Sequence, residues 1–153
     1  MTAPDDWGDA PSFGRRDASA VYVVRPSAYA LIHDDAGRVA VVRTPQGLFL
    51  PGGGIDPGET PRVAIQRETV EECGLPVRLG QSTARAIELV YSPGERTHYE
   101  KRSTFIDASV DGAIVPGSEA DHELVWMTRA TAIESLSHES HRWAVRTNQR
   151  RLQ

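Results

Sequence analysis

The chain has 153 residues, 39% of them hydrophobic and 25% charged, with a formal net charge of -4; it suits one domain with a sizeable core and is too short for two ordinary ones. No apolar run is long enough to span a bilayer, the first residues lack the basic and apolar pattern of a secretory signal, and the negative balance argues against a nucleic-acid polymer as partner. The lone cysteine, Cys73, excludes an internal disulfide and a cysteine-based zinc site, in keeping with a reducing, cytoplasmic setting.

Residues 1–18 mix Pro4, Gly8, Pro11 and Gly14 with charges around Trp7 and Phe13. They are expected to form a flexible tail or loose strap, with a single domain over 19–153. Residues 21–24 are a short strand candidate, and 28–32 and 39–42 flank a turn-rich break at 33–37 as an expected hairpin. Residues 48–50 read as a brief strand stopped by Pro51 and the glycines 52–54, a composition suited to a tight turn close to a ligand. Thr60 as N-cap, Pro61 at the first helical position, and Gly74 with Pro76 beyond it delimit a helix over 61–73. Residues 77–91 and 99–110 form a hairpin through 92–96, and 123–127 is the last strand. Thr128 caps a short helix through Leu136, and Ser137 or Ser140 caps a final one carrying Trp143, Val145 and Leu152.

The 61–73 helix carries the chemistry. At about 100° per residue, Glu68 lies between Glu71 and Glu72, so the three carboxylates share an arc of roughly 100°. Val63, Ile65, Thr69, Val70 and Cys73 fall on the other side, expected to be buried. Carboxylates this close repel one another unless a cation compensates, and hard divalent ions take oxygen ligands. Magnesium, with manganese able to substitute, is therefore the expected cofactor. Arg67 stands four residues before Glu71 and can brace it. Such a site suits attack of water on a diphosphate phosphorus, with no covalent nucleophile.

From Gly53, with Glu59, Arg67-Glu68, Glu71-Glu72 and Gly74-Leu75 following at fixed intervals, the segment resembles the signature of the Nudix (MutT-like) hydrolases. The hairpin before it, the 50–54 entry and the Trp126 strand after it extend the resemblance over about residues 19–150. The resemblance implies an α/β/α sandwich with a mixed sheet. It implies that Glu68, Glu71 and Glu72 bind metal, with Glu68 also a candidate base, that the Gly52 carbonyl completes the coordination, and that Glu59 supports Arg67. Gly53 and Gly74 are the motif's turn positions. Thr69, where the pattern prefers a bulky aliphatic, is a departure that bears on packing. Family members often place a further acid before the last strand, which makes Glu119 a candidate ligand or base ahead of Asp121 and Glu123.

Other signals are weaker. Arg25, Tyr29, Phe49 and Tyr99, with Tyr91, Lys101 and Arg102, are candidates for base stacking and phosphate contact on the sheet. His138 and His141 lack ligand partners at metal spacing and read as capping and packing groups. Cys73 reads as a core residue, and Arg142, Arg146 and Arg150 as a solvated helix face. The expected activity is magnesium-dependent cleavage of a diphosphate linkage in a nucleoside diphosphate derivative, a nucleoside triphosphate first. ADP-ribose, other sugar nucleotides and dinucleoside polyphosphates stay open, as does a homodimer. A nucleotide-sensing module is the alternative of another class, although residues 1–18 are too short and acidic for a DNA-reading appendage. A prenyl diphosphate isomerase would need a cysteine outside the helix.

Overall fold

A computed structural model describes residues 6–148; Pro4, Arg150 and Leu152 lie outside them. In chain order the strands are β1 (Ser12–Phe13), β2 (Tyr22–Ile32), β3 (Val39–Thr44), β4 (Gly47–Phe49), β5 (Gly52–Gly54), β6 (Val77–Ser92), β7 (Thr97–Val110) and β8 (Glu123–Met127), and the helices are α1 (Pro61–Cys73), α2 (Arg129–Ser135) and α3 (Glu139–Thr147). One sheet has the order β1-β6-β7-β2-β5 and the other β4-β3-β8. β2 runs parallel to β7 and antiparallel to β5, so the larger sheet is mixed. Among the described residues no helix is long and apolar enough to cross a membrane.

Strand alternation divides the core between two faces. Ala28, Ala30 and Ile32 of β2 and Ile106 and Ala108 of β7 pack with Ala64, Ile65 and Cys73 of α1. Their neighbours Tyr29, Leu31 and Phe105 point the other way, against Ala132 and Leu136 at α2 and Ala144 and Val145 of α3. Helices therefore cover both faces of a mixed sheet, the α/β/α sandwich expected. Ile65 and Leu75, both fully buried, each contribute about 2 kcal/mol through burial.

Several local expectations are corrected. Residues 28–32 and 39–42 do not form a ladder with each other: β2 and β3 belong to different sheets, with the isolated His33–Val39 bridge at the break between them. Both runs are buried on both faces, so neither alternates in a way that names its partner. β2 is continuous through Pro26, whose position lies just outside the β5 pairing that begins at Ser27. The glycines 52–54 form an edge strand on β2 instead of a turn. The 6–18 stretch is also tied down: Ser12 and Phe13 pair with Ile87 and Glu88 of β6, and Phe13 meets Trp143. Arg85 lies 3.8 Å from the Trp7 ring centre.

Candidate metal centre

α1 forms where local chemistry sets its ends. Thr60 Oγ1 accepts the Val63 N–H at 3.2 Å, and Pro61, having no N–H, needs no acceptor. At the other end Gly74 takes φ 60°, its N–H reaching Val70 O at 2.9 Å while the Leu75 N–H reaches Thr69 O at 3.1 Å. A Cβ at Gly74 would overlap the Val115 carbonyl. The buried side holds Ala64, Ile65, Thr69, Glu72 and Cys73, whereas Val63 and Val70, expected inside, are about half exposed. Placing Glu72 inward turns the helix so that both valines face solvent. Thr69 is wholly buried with its hydroxyl 3.5 Å from Gln66 O, so a small polar side chain occupies the aliphatic position.

β5 lies against the acidic part of α1. The Gly52 N–H donates to Glu72 Oε1 at 2.8 Å. A Cβ at Gly53 would stand 3.1 Å from Glu68 Oε1, so glycine lets that carboxylate approach the strand. Arg67 lies among these acids. Its Nε and Nη2 grip Glu59 at 2.8 and 2.9 Å, its Nη1 donates to Glu68 at 2.9 Å and Glu71 at 3.2 Å, and Nη2 also reaches Gly54 O at 3.2 Å. The main brace thus runs to Glu59, with Glu71 as a lesser contact. The Arg67 guanidinium, with the Asp56 N–H, holds Glu59 down at about 2.

Electrostatics separate the helix acids. Burial pushes Glu72 up to about 8, helped by the charges of Glu68, Glu119 and Glu71 and opposed by the Gly52 hydrogen bond. Glu68 is also raised by burial and by Glu71 and Glu119, against the pull of Arg67. Both shifts mark a site short of positive charge.

A loop completes the cluster. The last carbonyls of a helix lack donors within it, and here the Ser118 and Glu119 N–H groups satisfy Glu71 O at 2.9 and 3.2 Å. That docking brings Glu119 to the helix acids. A turn closed by the His122 N–H on Glu119 O then sets His122 Nε2 3.1 Å from Glu119 Oε2 and 3.8 Å from Glu72 Oε2. Asp121 faces the other nitrogen of His122, and Glu123 pairs instead with Arg43 across β3 and β8. His122 escaped sequence reasoning; its place after Glu119 and Asp121 was the one signal available.

The substrate candidates scatter. Register places Arg25, Tyr29, Tyr99 and Lys101 on one sheet face and Tyr91 and Arg102 on the other. The former is the α3 face, opposite α1. Tyr29 is a core residue, stacked on Phe105, 4.3 Å from the His141 ring centre, and accepting from Lys101 Nζ at 2.8 Å. Phe49 lies half-buried beside His138 and His141, while Arg25 covers the Tyr99 ring at 5.0 Å. Arg142 folds back on the Leu136 carbonyl, so it is not a free member of a solvated stripe.

The donor set fits a hard divalent cation. Two groups of ligand-type atoms, Glu68–Glu71–Glu119 and Glu72–Glu119–His122, each lie within 4.8 Å of one another. They are mostly carboxylate oxygen, and Glu72 is buried without a close countercharge.

Known proteins share this fold. The chain is 31% identical over 116 residues to an 8-oxo-(d)GTP phosphatase of Mycolicibacterium smegmatis, across 74% of this chain but 34% of that one. It thus spans about a third of that relative's length. Among solved structures it resembles a MutT protein from Methanosarcina mazei Go1 at TM-score 0.61 and 20% identity, covering 84% of this chain and 94% of that one. It also resembles a MutT NUDIX hydrolase from Burkholderia pseudomallei at 0.58 and 24%, covering 83% and 99%. Residues 23–147 match the NUDIX domain model, and with the motif helix and its acids in place the chain belongs to the Nudix family.

Proposed function

We propose that this Nudix protein hydrolyses a diphosphate linkage in a nucleoside diphosphate derivative with magnesium or manganese bound, and that a nucleoside triphosphate is its leading substrate class. The observation that carries this reading is the convergence of Glu68, Glu71, Glu72 and Glu119 beside β5. The name of the mycobacterial relative, a phosphatase of 8-oxo-(d)GTP, agrees with a triphosphate.

Glu68, Glu71 and Glu72, with Glu119 and the Gly52 carbonyl, would hold the cation. When bound, it neutralises diphosphate oxygens and polarises the phosphorus under attack. Glu68 accepts the proton of the attacking water; its burial raises its proton affinity and Arg67 orients it. As the water oxygen bonds to phosphorus, the bridging P–O bond breaks and its electrons leave with the departing phosphate. Arg67 and Glu59 are positioning residues. Cys73 takes no part, since burial pushes its thiol up to about 12.

Incubating the protein with either metal and nucleoside triphosphates, ADP-ribose and dinucleoside polyphosphates, with product identification, tests the reading. Metal-dependent release of a nucleotide and phosphate or pyrophosphate is expected from at least one compound. No turnover on any would favour a nucleotide sensor.

A further inference from the structure

His122 approaches the helix acids from the loop side and is unlike the other members of the cluster. Its Nδ1 lies 2.8 Å from Asp121 Oδ1. In the neutral ring that contact keeps the proton on Nδ1 and turns the Nε2 lone pair inward. There it meets two carboxylate oxygens, Glu119 Oε2 at 3.1 Å and Glu72 Oε2 at 3.8 Å. Lone pairs that converge in this way repel unless a positive charge sits among them. Glu72 supplies a second, independent observation. The residue is 8% exposed, its Oε1 is used by the Gly52 N–H, and among the described residues Oε2 has no donor within hydrogen-bond distance. A carboxylate buried in this way beside another acid, with no close countercharge, is costly.

We propose that His122 Nε2 is a ligand, with Glu72 and Glu119, of a divalent cation, and that this nitrogen shifts the site's preference from magnesium toward first-row transition ions. This rests on the reading that the carboxylate helix holds metal, and goes beyond it in naming a nitrogen ligand and a metal preference. Magnesium favours all-oxygen shells and binds imidazole poorly, while manganese, cobalt, nickel and zinc accept it in rising order of affinity up to nickel. The Asp121–His122 contact is the carboxylate–histidine pair that orients metal-bound imidazoles elsewhere. The competing arrangement is an imidazolium that bridges Asp121, Glu119 and Glu72 with protons alone.

Manganese is the probe that separates the two. The full chain, loaded with Mn2+, is measured by electron spin echo envelope modulation with natural-abundance and with 15N-labelled histidine. Nitrogen coupling is expected, changing on histidine labelling and absent in His122→Gln. That variant is expected to bind Mn2+ about tenfold more weakly, with Mg2+ binding changed by less than about twofold. If His122→Gln fails to fold, the labelled wild-type spectrum decides, because His122 Nε2 stands 3.8 Å from Glu72 Oε2 of α1. Bound Mn2+ without histidine coupling overturns the proposal and leaves the carboxylate metal site standing. Failure of Mn2+ to bind overturns both.

Discussion

Glu72 combines deep burial, three acidic neighbours and a single backbone hydrogen bond. An unfolded chain ionises it near 4.5, whereas the fold keeps it protonated up to about 8. The metal-free fold therefore holds more protons than the unfolded chain across that window, and its stability falls as pH rises through it. Urea unfolding in EDTA is expected to show a loss of up to about 5 kcal/mol between those pH values. Glu72→Gln and a saturating divalent cation should each remove most of it. A midpoint independent of pH, equal in wild type and variant, contradicts this assignment. At this scale the helix acids and Arg67 were legible because helical geometry is local and spacing alone brings them together. His122 was not, since its place depends on a loop docking to Glu71 O from far along the chain. Tyr29 could be placed in the core only with the fold in hand, because an aromatic at an alternating position looks the same in a core as on a binding face.

α1 was legible to the residue, with Thr60, Pro61 and Gly74 as its punctuation. α3 was not. No side chain of its own N-cap accepts a helix N–H; the buried Glu88 of β6 instead takes the Ser140 N–H at 2.8 Å and the Glu139 N–H at 3.3 Å, with His138 3.4 Å away. Ser137, expected as a cap, accepts from the Leu48 N–H. Burial alone would raise Glu88, but the hydrogen bonds from His138 and Ser140 outweigh it and hold the carboxyl at about 2. This group therefore stabilises the fold above pH 4.5, and that contribution is lost as pH falls toward about 2. Glu88→Gln should lower stability at pH 7 by about 1–2 kcal/mol in chemical denaturation. Unchanged stability would mean that the carboxylate does not anchor α3. The missing ladder between β2 and β3 has a related cause: in 28–32 and 39–42 every residue is buried, and a strand covered on both faces carries no periodic mark of its neighbour.

Across the whole molecule, the sheet separates two roles. One face packs on α1, whose outer acids meet β5 and the Glu119 loop, and the other carries α2, α3 and the aromatic cluster around His141. The sandwich class could be anticipated from the motif's resemblance, but the sheet assignments of β3 and β5, and the β1 strap over β6, arise from long-range pairing. The proposed catalytic centre draws on three places, α1, β5 and the loop before β8, and Glu72 approaches two of the other parts at once. Glu72→Gln therefore tests the centre most directly. Turnover of the best substrate should fall at least about a hundredfold with the circular dichroism spectrum unchanged. Near-wild-type turnover in a folded Glu72→Gln protein would contradict a metal-dependent hydrolase built on this helix.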